Sequence, residues 1–185
     1  MTKRHALILA AMVACSRSSS QRSDTSKLAA TISLTSSGFR SGDSISASFT
    51  CDGGNRSPAL TWSGSPPRTA TLTLIVDDPD APSGTFVHWI LFDIPSSVSS
   101  IPEGVGRSPA VAEVGGARQG QNDFHRIGYD GPCPPHGPAH RYRFWLFALD
   151  TSLATQPGAS RSDVESAMRG HELAYAELIG KYARK

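Results

Sequence analysis

Eleven residues, Gly128 to Pro138, constrain this chain more than any others. They hold four prolines and three glycines. Each proline removes a backbone donor and fixes φ, and the glycines favour dihedrals that other residues avoid, so this run is neither a helix nor a central strand. His140 to Leu149 follows at once and is rich in aromatic and branched residues. That run reads as a buried strand. A rigid loop feeding a core strand holds polar groups in fixed positions. His140, Arg141 and Tyr142 stand at that junction.

A second segment has the same logic. Thr71 to Val76 alternates like a strand and ends in Asp77-Asp78-Pro79-Asp80-Ala81-Pro82. Phe86 to Asp93 then reads as another strand, with His88 inside it. Thr31 to Ser36, Ser44 to Thr50 and Leu60 to Trp62 are further strand patterns separated by turn residues. Pro95 to Gln121 reads as one long irregular segment, a length typical of a functional or surface-wrapping loop. Ser162 or Asp163 is placed to cap a helix running to about Arg169. The C-terminal run is two-sided: local propensity in Glu172 to Lys185 favours helix.

With 185 residues the chain can bury one sizeable core. Its 17 glycines and 13 prolines favour a loop-rich β protein over a helical bundle. The N-terminus reads separately. Lys3, Arg4 and His5 precede the apolar run Ala6 to Ala14, which is too short to span a bilayer and fits the h-region of a signal peptide over residues 1–14. Met12-Val13-Ala14-Cys15 resembles a bacterial lipobox, which makes Cys15 a lipidation site; a secretory signal cut near Ala14 is the alternative. Residues 15–30 are serine-rich and read as a disordered tether. The expected location is therefore the periplasm or cell envelope, with membrane attachment only through the N-terminal lipid. Without Lys3 and Arg4 the 18 basic residues become 16, equal to the 16 acidic ones. No basic stripe appears, which argues against a nucleic-acid partner.

Several motifs in fixed order carry a resemblance. Asp78-Pro79-Asp80-Ala81-Pro82, His88-Trp89, and Gly131-Pro132-Cys133-Pro134-Pro135 leading to His140-Arg141-Tyr142 resemble the phosphatidylethanolamine-binding protein family, in its bacterial Raf-kinase-inhibitor-like branch. Phe49 to Gly53, Ser57 to Trp62 and Asn122-Asp123-Phe124 are similar to that branch too, so the likeness covers about Thr31 to Lys185. It implies a domain over 31–185 with a mainly β fold: an antiparallel two-layer β-sandwich with one or two short C-terminal helices. It also implies a final strand at about Leu173 to Tyr182, against local propensity.

The resemblance further implies a small pocket for phosphate-like anions or phosphorylated head groups. Its residues here would be Asp78, Asp80, His88, Cys133, Pro134, His140 and Tyr142. Read alone, Asp78 and Asp80 are turn caps, and His88 is a satisfied core histidine. Two imidazoles and a phenol can donate to anion oxygens, while a carboxylate can receive an amine. His136 is either a rim donor or solvated. Trp62, Trp89 and Trp145 are expected to fill the core between the sheets. No cofactor is expected, and the histidine spacing does not match a zinc site. No loop poses a serine beside a histidine, so the leading expectation is a binding protein with an unknown protein partner and no enzymatic activity. The alternative is a small hydrolase using Asp78, His88 and His140 as acid–base groups. Three cysteines remain to be placed. If Cys15 is lipidated, Cys51 and Cys133 form an even pair in an oxidising compartment, and a disulfide between them is expected.

Overall fold

A computed structural model describes residues 32–184 of the chain. The expected signal peptide, the tether and Cys15 fall outside those residues. The described part is built from nine strands: β1 (Ser33–Ser36), β2 (Leu60–Ser63), β3 (Thr71–Asp78), β4 (Phe86–Pro95), β5 (Ser100–Ile101), β6 (Ala110–Val111), β7 (Ala117–Gln119), β8 (His140–Leu149) and β9 (Glu172–Tyr182). One α-helix, α1 (Arg161–Met168), lies between the last two strands.

The strands form two sheets. A three-stranded sheet has the order β1-β2-β5, and a six-stranded sheet the order β6-β7-β4-β3-β8-β9. Every strand pairing in both is antiparallel. The two-layer antiparallel sandwich expected from the sequence is present, with one α-helix.

Burial explains which strand sits where. All eight residues of β3 are buried, and β3 pairs with both β4 and β8 in the middle of the large sheet. On β8, Tyr142, Phe144, Leu146 and Ala148 point into the sandwich, and the residues between them are less buried. That is the period of two that puts successive side chains on opposite faces. Leu34, Leu60, Trp62 and Ile101 of the small sheet close over this inner face. The outer face carries a second, smaller core in which Ile75, Ile90 and Phe92 pack against Val164 and Met168 of α1.

Several expectations are corrected. Ser44 to Thr50 is no strand: only Ser44 bridges to the sheet, opposite Lys181, and Ala47–Phe49 winds into a 3-10 turn. The Ser46 side chain accepts from the Ser48 N–H, a local bond that draws the backbone away from a ladder. The helix cap is Ser160, two residues before Ser162 and three before Asp163. Its hydroxyl accepts from the Asp163 N–H and the Asp163 carboxylate accepts from the Ser160 N–H, a reciprocal capping box. Pro95 to Gln121 is interrupted by β5, β6, β7 and a second 3-10 turn (Ala112–Val114). Trp62 and Trp89 belong to the inner core, but Trp145 lies half-buried on the α1 side, stacked beside Phe147. At the C-terminus β9 forms over Glu172–Tyr182, as the resemblance implied, because its ladder with β8 outweighs helix propensity. Among the described residues no helix is long and apolar enough to cross a membrane.

Candidate functional site

The end of β3, the start of β4 and the start of β8 meet at one place, because β3 pairs antiparallel with both neighbours. Asp78 is the last residue of β3 and His140 the first of β8. His140 Nδ1 and Asp78 Oδ2 are 2.7 Å apart. The other carboxylate oxygen of Asp78 accepts from the Asp80 N–H at 2.8 Å. The turn-cap role and the pocket position of Asp78 are therefore both real, one oxygen for each.

His88 stands on the neighbouring strand and is 3% exposed. Its Nδ1 lies 2.7 Å from the Asp130 carbonyl. A carbonyl only accepts, so Nδ1 carries the hydrogen. Burial lowers the His88 pKa below the usual imidazole value, against the opposing pull of that carbonyl and the Asp78 charge. The ring is thus neutral near pH 7.

A cavity of about 220 Å³ opens between these groups. Asp78, His88, Cys133, Pro134 and His140 all line it. Five of the expected site residues, drawn from three distant segments, converge there. Asp80 does not line the cavity. Its carboxylate holds Arg141 in a bidentate pair, at 2.6 and 2.9 Å, which keeps its pKa well below the usual carboxylate range. Tyr142 is also placed differently. It is 0% exposed, packs edge-on beneath His88 with ring centroids 5.2 Å apart, and is not part of the cavity surface. Its hydroxyl has no partner among the described residues. Burial and the Asp78 charge push its pKa up. His136 is exposed and away from the cavity, bridging Arg184 through its backbone.

The sequence reading missed the aromatic wall. Phe86 and Phe124 line the cavity at 4.8 Å from each other, and both rings approach His88 at 5.4–5.5 Å. Phe86 was legible in retrospect: it lies two residues before His88 in one strand, hence on the same face. Phe124 belongs to the Asn122-Asp123-Phe124 motif, whose neighbours have structural tasks. Asp123 Oδ2 accepts from the Val87 N–H at 2.7 Å.

The loop wall is held by a buried carboxylate that the sequence reading also overlooked. Asp130, with a side chain 2% exposed, accepts from Arg107, Arg126, Asn122 and Asn55. Burial works to raise its pKa, but the hydrogen bonds from Arg107, Asn122 and Asn55 outweigh it and the net shift is downward. Asn55 also accepts from the Gly131 N–H at 2.7 Å. The Tyr129 hydroxyl donates to the Phe49 carbonyl at 2.7 Å. Gly131 is packed so closely on that carbonyl that a Cβ there would collide with it. Finally, Cys51 and Cys133 are joined in a disulfide, with Cα atoms 5.4 Å apart. The bridge expected from the cysteine count is present, and it ties the loop to the 3-10 turn.

Another cleft, of about 260 Å³, lies on the α1 side and is lined by Arg143, Trp145, Arg161 and Glu165. Its charges are spent on structure: Arg143 and Arg161 both donate to the fully buried Asp77, and Arg161 also to Glu165. Among the described residues no group of three or more His, Cys, Asp or Glu is placed to hold a metal ion.

Fold and cavity together define a single-domain antiparallel β-sandwich with a histidine-lined pocket at the ends of its central strands. The chain belongs to the phosphatidylethanolamine-binding protein family, whose family model matches residues 35–183. Among its relatives, the UPF0098 protein PH1269 of Pyrococcus horikoshii is 49% identical over 151 residues, which are 81% of this chain and 76% of that protein. A UPF0098 protein of Aquifex aeolicus is 51% identical over 148 residues, 79% of this chain and 85% of the relative. The crystal structure of Escherichia coli YbcL, described as a new member of the mammalian family, superposes with a TM-score of 0.79 at 35% identity. It covers 84% of this chain and 100% of YbcL.

Proposed function

We propose that this protein is a non-enzymatic binding protein whose cavity accepts a phosphate-like anion, such as the phosphorylated head group of a larger molecule. The observation that carries this reading is the convergence of His88, His140 and Asp78 on one small cavity with apolar walls. An imidazole N–H that faces the cavity can donate to an anion oxygen, and the carboxylate suits an amine on the same ligand. The aromatic wall suits the carbon skeleton between them. A protein partner would meet the exposed rim formed by Pro135, Pro82 and Ser83. The test is calorimetric titration with phosphorylethanolamine and with phenyl phosphate. Saturable binding that weakens in His140→Ala supports the reading, and no binding of either compound removes it.

A hydrolase is the second reading, and the Asp78–His140 pair at 2.7 Å is the observation that favours it. Turnover of phosphate or carboxylate esters, lost in His140→Ala with the fold intact, would move the assignment there.

We also propose that the protein is exported and held to the envelope by a lipid on Cys15. The charge-then-apolar N-terminus and the Cys51–Cys133 bridge support this, since such bridges persist in oxidising compartments. Mass spectrometry of the mature N-terminus tests it: a diacylglyceryl mass on Cys15 is expected, and an unprocessed Met1 contradicts it.

A further inference from the structure

We propose that the outer edge of β9 at Tyr175 and Glu177 is a docking site for an extended segment of a partner protein, one whose basic residues alternate with apolar ones. The site is separate from the cavity. Trp145 and Phe147, the β8 partners of Glu177 and Tyr175, stand five and seven residues along that strand from His140.

β9 is the last strand of the six-stranded sheet, so one side of it has no neighbouring strand. Its C-terminal end is covered nonetheless. The Ile179 carbonyl accepts from the Gly42 N–H, and Lys181 donates to the Asp43 carbonyl and accepts from the Ile45 N–H. Backbone direction alternates along a strand, so Tyr175 and Glu177 turn their N–H and C=O the same way as Ile179 and Lys181. Among the described residues nothing pairs with them on that side. An open edge of this kind takes up an extended peptide through main-chain hydrogen bonds.

The side chains select the peptide. On the outer face Tyr175 completes a half-buried cluster with Trp145 and Phe147, with ring centroids 5.9–6.4 Å apart. Nearby, Arg143 and Arg161 are balanced by Asp77 and Glu165. Glu177 and Glu172 are left without an ion pair among the described residues, and Glu172 has only the Gly170 N–H. Partial burial raises the Glu177 pKa, against the pull of Arg143 and Arg141, so its charge gains from a cation brought in from outside. The only cation of β9 itself, Lys181, lies four residues beyond Glu177, where the edge is already covered. On the inner face, Ala174, Ala176 and Leu178 alternate with these residues and belong to the core. A strand laid alongside β9 therefore sets one row of side chains against the carboxylate and aromatic rings, and the other row against the apolar rim of the sandwich. Lysine or arginine suits the first row and aliphatic residues the second. A second copy of this chain would set the same acidic edge against itself, so charge favours a basic strand over self-pairing.

The test is a titration of isotope-labelled protein with the peptide acetyl-Lys-Val-Lys-Val-Lys-Val-amide and with its twin in which glutamate replaces lysine. Saturable shifts along β9 are expected with the lysine peptide, and the amide hydrogens of Tyr175 and Glu177 should become protected from solvent exchange. Glu177→Lys, an exposed substitution, should weaken the lysine peptide at least about tenfold and improve binding of the glutamate peptide. No saturation with the lysine peptide, or equal binding of the two peptides, overturns the proposal. Saturation without protection of those two amides overturns it too. Protection already present in the free, dilute protein would mean that the chain covers its own edge. Protection that appears on concentrating the protein alone would assign the edge to a second copy. Either result also overturns the proposal.

Discussion

The three titratable residues of the cavity, Asp78, His88 and His140, hold their places through hydrogen bonds to neighbouring groups. Asp78 shows this best, with one oxygen on a turn N–H and the other on His140. Removing His140 by alanine should weaken phenyl phosphate binding by about 1–3 kcal/mol, the usual range for one hydrogen bond to a charged group. Calorimetry reads this directly, and unchanged affinity removes His140 from the site. Asp130 predicts a different outcome, because its partners are structural. Asp130→Ala strands Asn122 and Asn55 and uncouples two arginines, so unfolding in denaturant should show a loss of about 3 kcal/mol. A loss under about 1 kcal/mol would mean that the loop wall does not depend on this carboxylate. At this scale the sequence was readable only where a residue type has few uses. Histidines beside a proline-glycine loop stand out, as does a lone pair of cysteines. Asp130 and Phe86 did not, since an aspartate in a loop and a phenylalanine in a strand have many ordinary roles. Tyr142 was misplaced for a related reason: a tyrosine one step into a strand has the chemistry of a ligand donor, and only the pleat decides that it faces the core.

Strands and loops meet at the disulfide. The Cys51–Cys133 bridge spans 82 residues and ties the pocket loop to the 3-10 turn. In the chain-entropy account, closing a loop of that length stabilises by about 4 kcal/mol. Cys51→Ser/Cys133→Ser should therefore lower the midpoint of thermal unfolding markedly, and the wild type should lose as much under a dithiol reductant. Titration of the denatured, unreduced protein should find neither Cys51 nor Cys133 as a free thiol. The element scale also shows where pattern reading failed. Ser44 to Thr50 alternates like a strand, yet serine side chains bond locally and tighten the backbone into a 3-10 turn. At β9 local propensity failed the other way, since its helix-forming residues are overruled by pairing with β8. Only the family likeness made that strand legible.

For the whole molecule, the charged groups fix how stability follows pH. Burial keeps the His88 pKa below its unfolded value of about 6.5, so below that pH the unfolded chain binds more protons than the native one. Stability should begin to fall there. Asp130 adds a second loss at lower pH. Its native pKa is depressed, so its contribution is complete above about pH 4, the unfolded carboxylate value, and disappears as pH falls through the native one. Each group can steepen the decline by up to about 1.4 kcal/mol per pH unit. Denaturant melts from pH 8 to 3 should show both limbs, and Asp130→Asn should flatten the acid one; the same slope in variant and wild type would exclude Asp130 as its source.

The central claim is that the Asp78–His140 end of the large sheet is where this protein holds its ligand. Amide chemical shifts of isotope-labelled protein, followed through a titration with phenyl phosphate at pH 6.5, test it most directly. The account predicts saturable shifts in Asp78, Phe86, His88, Phe124, Cys133 and His140, with Arg143, Arg161 and Glu165 unmoved. Saturable shifts centred instead on Arg143 and Arg161 at the α1 cleft would contradict it.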